Sequence, residues 1–135
     1  MMRTTLLSAL LAFSALTGAP EAFAADRAEA QSTPEFLDLS WADLSAVWAK
    51  GLSFKGAKLV NAMAIDSSFD GCDFSGADLR KADFTGCTMQ GASFAGADLR
   101  GADMEACDLT GADFTGAKLE GSRFPGAVLE GVVVD

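Results

Sequence analysis

From Leu37 to Val134 the chain repeats one small-polar-large alternation every five residues. In the clearest stretch, from Ser67 on, the units read SSFDG, CDFSG, ADLRK, ADFTG, CTMQG, ASFAG, ADLRG, ADMEA, CDLTG, ADFTG, AKLEG, SRFPG and AVLEG. A bulky residue stands at the centre of each unit, as Phe69, Phe74, Leu79, Phe84 and Met89 do in the first five. Two residues before each centre is a small one, such as Ser67, Cys72, Ala77, Ala82 and Cys87, with a polar residue, often Asp, between. That alternation turns the small and large side chains to one face and the polar one to the other. A period this short and strict marks a solenoid and overrides any residue-by-residue helix or strand assignment.

The register extends backwards without insertion through centres at Ala64, Leu59, Phe54, Ala49, Leu44 and Leu39, and forwards to Val134. Ala49 and Ala64 are its loosest points. A second period of twenty residues overlies the first. Leu39, Leu59, Leu79, Leu99 and Leu119 form one column, and Phe54, Phe74, Phe94 and Phe114 another that ends in Val134. Gly51, Gly71, Gly91, Gly111 and Gly131 align as well, as do Gly56, Gly76, Gly96 and Gly116. Glycine recurs where the chain needs a positive φ or has no room for a Cβ, so two corners of each coil read as glycine-dependent. The other two corners carry Trp41, Asn61, Lys81 and Gly101, or Ala46, Asp66, Gly86 and Ala106.

The units ADLSA (Ala42 to Ala46), ADLRK, ADFTG and ADLRG carry a small-Asp-Leu/Phe-x-x pattern, and in this the chain resembles the pentapeptide-repeat family. The resemblance spans the whole repeat region. It implies an all-β fold, a right-handed quadrilateral β-helix (a β-solenoid) with four units per coil. Twenty units then make about five coils, and at a strand spacing of ~4.8 Å the solenoid is roughly 24 Å long. One segment has a rival reading. Leu37, Trp41, Leu44 and Trp48 also follow helical spacing, and Thr33-Pro34 suits a helix start, so residues 34–50 form either the first coil or a capping helix. Because Leu39 continues the leucine column, the coil reading is preferred.

The residues before the repeat have a different character. One basic residue, Arg3, precedes an apolar run from Leu6 to Leu16, followed by Gly18, Pro20 and Ala22-Phe23-Ala24. This is the layout of a secretory signal peptide, and the run is too short to span a bilayer. Residues 1–24 are therefore expected to be removed, with cleavage after Ala24 or Ala25. Residues 25–36 then form a flexible mature N-terminus and residues 37–135 the repeat domain. The mature protein is expected in the periplasm or outside the cell, with no membrane span.

Composition narrows the chemistry. The chain has 135 residues, a net charge of -9, no His, no Tyr and three Cys. His-based triads and His-ligated metal sites cannot be built from it, and its acidity argues against direct nucleic-acid binding. With no acid-base pair, nucleophile or cofactor motif in view, the sequence predicts no enzyme, no catalytic residues, no cofactor and no metal. Asp78 should stack over Asp98, and Asp83 over Asp103, one coil apart. These columns are either an outward acidic surface for a partner or Ca²⁺, or turn residues that bond their own backbone. Arg80 and Arg100 partly neutralise the first column, and Lys118 and Arg123 interrupt the two. Cys87 and Cys107, twenty apart and inward, would stack within disulfide range in an oxidising compartment; alternatively all three cysteines serve as small apolar residues. Trp41 and Trp48 point outward in the coil register and are candidate contact anchors.

The expected role is that of a non-enzymatic, exported scaffold or protein-binding surface in the cell envelope, for a protein partner the sequence does not identify. The alternative comes from the family branch whose acidic members mimic DNA, bind gyrase and protect it from quinolones. The apparent export signal and the short solenoid separate this chain from that branch. The resemblance also implies an end-to-end homodimer through the C-terminal coil, where Val132-Val133-Val134 offers an unpaired apolar edge.

Overall fold

The computed structural model describes residues 37–135. The expected signal peptide, the mature N-terminus and the Thr33-Pro34 helix start lie outside the described residues. Asp38 pairs with Lys58, Asp43 with Met63, Trp48 with Ser68 and Ser53 with Asp73, and the same parallel pairing at an interval of twenty continues to Asp113 and Val133. Four short bridges per turn, each followed by a corner, make a quadrilateral β-helix of five coils: 37–56, 57–76, 77–96, 97–116 and 117–135. Its four faces are numbered by the outward residue of the first coil: Asp38 (face 1), Asp43 (face 2), Trp48 (face 3) and Ser53 (face 4). Residues 37–50 lie within the first coil, so the helix reading of that segment is overturned for them. Leu39 and Leu44 are fully buried, and the backbone of Leu39, Trp41, Leu44 and Ala46 donates to the second coil. A helix would have taken those N–H groups away from that coil.

Each five-residue unit spends its backbone groups in the same way. In the unit centred on Leu59, the Lys58 N–H donates back to Leu37 O, the Leu59 N–H forward to Asp78 O and the Asn61 N–H forward to Arg80 O. The Ala62 N–H donates to Leu59 O and closes a four-residue β-turn. Its third residue has a positive φ, as a type II turn requires. Every corner from Trp41 to Gly131 is left-handed. This corrects the expectation of two glycine-dependent corners, since all four need a positive φ and six of the residues supplying it are not glycine: Trp41, Ala46, Asn61, Asp66, Lys81 and Ala106. Space is not the constraint at most of them, because a Cβ added to Gly51, Gly56, Gly76, Gly91 or Gly96 would meet nothing within 4 Å.

The interior is filled. Leu39, Leu59, Leu79 and Leu99 are fully buried, and the phenylalanine column stacks face to face, with centroids 4.9 Å (Phe54–Phe74), 5.2 Å (Phe74–Phe94) and 4.8 Å (Phe94–Phe114) apart. The loose points of the register stay in place. Ala49 and Ala64 are buried, and Phe69 and Phe84, next in their columns, meet edge to face at 6.0 Å. The two ends differ. Leu39 and Leu44 at the first coil are sealed, whereas Leu129 and Val134 at the last are about half exposed.

Candidate interaction surface

With the interior closed, whatever chemistry the described residues offer stands on the four outer faces. The unit leaves one backbone donor without a backbone partner: the N–H of the residue after each centre. The outward residue before the centre fills that need. Ser40 donates to Asp38 Oδ1 (3.0 Å), Ser45 to Asp43 (3.0 Å), Thr85 to Asp83 (3.0 Å), Glu105 to Asp103 (3.0 Å), Thr110 to Asp108 (3.1 Å) and Thr115 to Asp113 (2.9 Å). Where Ser stands instead of Asp, its hydroxyl accepts, as Ser93 does from Ala95. An aspartate in this position is thus an Asx-turn residue first. Pro125 occupies the unpaired position itself, where a residue without an N–H costs nothing.

The two carboxylate columns are brought together as expected, with Asp78 paired to Asp98 on face 1 and Asp83 to Asp103 on face 2. Their charge is largely answered locally. The Arg80 guanidinium grips Asp78 through Nε and Nη2 (2.8 and 2.8 Å), Arg100 grips Asp98 in the same way (2.8 and 2.6 Å), and Arg123 reaches Asp103 from the next coil (3.0 Å). The hydrogen bonds from Arg100 hold the Asp98 carboxyl down at about 2. Thr110 and Gln90 hold Asp108 below the usual carboxylate range, and Thr115 does so for Asp113. Lys118 and Arg123 continue the columns with opposite charge. Among the described residues, no group of three or more His, Cys, Asp or Glu is placed to hold a metal, and no helix is long and apolar enough to cross a membrane.

The cysteines follow the second of their two readings. Cys87 and Cys107 do occupy the same column, but Cys72, Cys87 and Cys107 are all free and buried. Each thiol turns along the solenoid axis and donates to a carbonyl of the preceding coil: Cys72 to Ala49, Cys87 to Ala64 and Cys107 to Phe84. Ser67 in the same small inward position bonds Leu44 O in the same way (2.7 Å) and accepts from the Val47 N–H (3.1 Å). The sulfurs therefore point past one another towards backbone. Burial pushes the Cys72 and Cys87 thiols up to about 12 and Cys107 to about 11, which keeps them protonated and unreactive. The alternation of small inward residues shows where these thiols sit, but not the axial carbonyl that receives each one.

Exposed apolar residues on the outer faces stand at both ends, with Val128 on face 3 and Val133 on face 4 in the fifth coil and three more in the first two coils. Trp41, at the corner between faces 1 and 2, is 73% exposed, and Trp48, on face 3, is 62% exposed. Met63, on face 2 of the second coil, is 44% exposed. Lys50 holds its ammonium 5.7 Å from the Trp48 ring and 3.6 Å from Asp70. Of the three in the first two coils, only the tryptophans were expected to stand out; Met63 breaks an aspartate column, a signal the sequence carries.

Comparison with known proteins agrees with this geometry. The profile of the family described as pentapeptide repeats matches residues 38–76, 67–105 and 107–133, in eight copies. The chain belongs to the pentapeptide-repeat family, whose right-handed β-helix is the fold described above. Proteins of this family are generally non-enzymatic structural or binding proteins. No match was found among curated proteins. Similar solved structures include HetL, a pentapeptide-repeat protein involved in heterocyst differentiation regulation in the cyanobacterium Nostoc (22% identity, TM-score 0.41, covering 73% of this chain and 53% of that one). A pentapeptide-repeat protein of the Arabidopsis thaliana thylakoid lumen is 32% identical, with a TM-score of 0.38 and coverage of 63% and 66%. QnrB1, a plasmid-mediated fluoroquinolone resistance protein, is 31% identical, with a TM-score of 0.46 and coverage of 70% and 59%. The match thus spans between 53% and 66% of these three solved chains.

Proposed function

We propose that this protein is a non-enzymatic, exported repeat protein whose outer faces serve as a protein-binding surface or scaffold in the cell envelope. One observation carries the reading: the interior is packed shut with apolar side chains, so every charged group of the described residues stands outside on a rigid twenty-residue lattice. Export rests on the Leu6–Leu16 run and the Ala22-Phe23-Ala24 site. As part of the same reading, two copies meet end to end through the fifth coil, where Leu129, Val133 and Val134 remain about half exposed.

The acidic columns motivate the competing reading of a DNA mimic that binds gyrase. Against it, Asp78, Asp98 and Asp103 are paired with arginines, and the first of their tasks is to hold turns. Cell fractionation followed by intact mass tests the proposal. A species that begins after Ala24 or Ala25 in the periplasm or medium is the expected result. An uncleaved cytoplasmic species would overturn export and make inhibition of gyrase supercoiling the next assay. Light scattering at high micromolar concentration should give a dimer mass; a monomer would remove the end-to-end contact.

A further inference from the structure

We propose that the fifth coil of one copy stacks on the first coil of another, head to tail, so that the solenoid continues from molecule to molecule. The proposal rests on the end-to-end contact through the fifth coil given above, and names what that coil meets. The argument starts from the backbone. At the first coil, the N–H groups of Asp38, Asp43, Trp48 and Ser53 have no backbone acceptor among the described residues. At the fifth coil, the carbonyls of Ala117, Ser122, Ala127 and Val132 have no backbone donor. Inside the molecule the same two sets are joined, as the Lys58 N–H is to Leu37 O and the Asp78 N–H to Ala57 O. The converse set is open too: the N–H groups of Leu119, Phe124 and Leu129 and the carbonyls of Asp38, Asp43 and Trp48. The two edges are the two halves of the ladder that joins any coil to the next, and an open edge of this kind recruits another chain.

The side chains select the partner and its rotation. Residues twenty apart already pair as ions between coils, Lys50 with Asp70 at 3.6 Å and Arg123 with Asp103 at 3.0 Å. Carried across the joint, the same interval sets Lys118 over Asp38, Arg123 over Asp43, Glu130 over Lys50 and Asp135 over Lys55 of the next copy. Every one of these pairs opposes unlike charges, and no like charges meet. Turning the second copy by one, two or three faces leaves fewer such pairs.

The apolar residues agree. On face 3, Val128 (47% exposed) falls on Trp48 (62% exposed), so each covers the other. Leu37 and Val47 are large residues in the small inward position and only partly buried, and they fall on Ala117 and Ala127. Leu39 and Leu44 are already buried, so the interior gain comes from the other side of the joint, where Leu129 and Val134 leave water. A contact between unlike ends that continues the helix does not close on itself, so copies keep adding.

The test follows mass by light scattering at rising concentration, with the protein as isolated from cells. Wild type should pass beyond two copies, and added salt should reverse the growth. Both tryptophans lie in the first coil and there is no tyrosine, so emission should move to the blue as mass grows. Two double variants reverse the charge of one end each: Lys118→Asp with Arg123→Asp, and Asp38→Lys with Asp43→Lys. Each alone should associate at least tenfold more weakly than wild type. Their equimolar mixture should assemble as wild type does, because every joint between them again opposes unlike charges. A mass that stops at two copies, with emission unchanged and the first-coil variant associating as wild type does, would mean that fifth coils meet each other. That outcome overturns the head-to-tail joint and leaves the end-to-end contact standing. A monomer at high micromolar concentration would overturn both.

Discussion

The left-handed corner and the turn aspartate are the two residue-scale devices on which this fold depends, and both make predictions. At Ala106 (φ 56°) a side chain is held in a conformation glycine adopts freely, so Ala106→Gly should raise stability by ~1 kcal/mol in a denaturant melt. At Gly91 (φ 67°) a new Cβ meets nothing, and Gly91→Ala should cost ~1 kcal/mol through the backbone alone. Gly86→Ala should cost about as much, because the exposed Asp66 carboxylate in the way of its Cβ can swing aside. The aspartates predict a pH dependence. Asp38, Asp43, Asp98, Asp108 and Asp113 all have carboxyls below the ordinary value of 3.8, so the folded state binds their protons more weakly than the unfolded chain does. Their contribution is complete above that ordinary value and is lost as pH falls through the folded values, about 2 for Asp98. Melting temperature should therefore respond little to these groups from neutral pH to about pH 4 and drop steeply below it. A drop that begins near pH 6 would show that other groups govern acid stability.

At the scale of the coil, stability comes from columns rather than from single contacts. Phe94 is stacked between Phe74 and Phe114, and Phe94→Ala should cost ~3–5 kcal/mol, because the adjoining coils cannot close the gap without breaking their backbone ladder. Leu79→Asp puts an unpaired carboxylate in a fully buried place and should leave no cooperative melt. An unchanged melt would disprove the register. The thiols report on the same columns. Cys72, Cys87 and Cys107 should resist a thiol reagent in the folded protein, and all three should titrate after unfolding without reductant. Two missing thiols would show a bridge after all.

Over the whole molecule, the two ends and the four faces are not equivalent. The first coil is sealed inside and carries exposed tryptophans outside, whereas the last leaves Leu129 and Val134 open. Face 1 collects Lys58, Arg80, Arg100 and Lys118, while the carboxylates of face 2 meet only Arg123. Such a molecule has a distinct bottom, top and sides, which suits a scaffold that meets different neighbours at different places. A stability series should follow position along the axis. Truncating Leu129 at the open end should cost less than truncating Leu79 in the third coil, because less apolar surface is released from burial. That difference belongs to dilute, monomeric protein, and the two losses should draw together at concentrations where the end-to-end contact of the fifth coil forms.

Much of this was legible in the sequence, because in a solenoid a local period is also the tertiary address. A side chain's place in its five-residue unit decides inward or outward, and its place in the twenty-residue coil decides its neighbours above and below. The leucine and phenylalanine columns, the stacked Asp78–Asp98 and Asp83–Asp103 pairs and the exposed tryptophans all follow from that count. Three features are decided by tertiary structure, each for a physical reason. Residues 37–50 suit helical and coil spacing alike, and the open N–H and C=O groups of the second coil decide between them. Cys87 and Cys107 share a column, but side-chain direction decides whether sulfurs meet, and a carbonyl of the preceding coil captures each thiol. The left-handed backbone at Trp41, Ala46 and Lys81 has no mark in the residue type, because the turn imposes it on whichever side chain falls there.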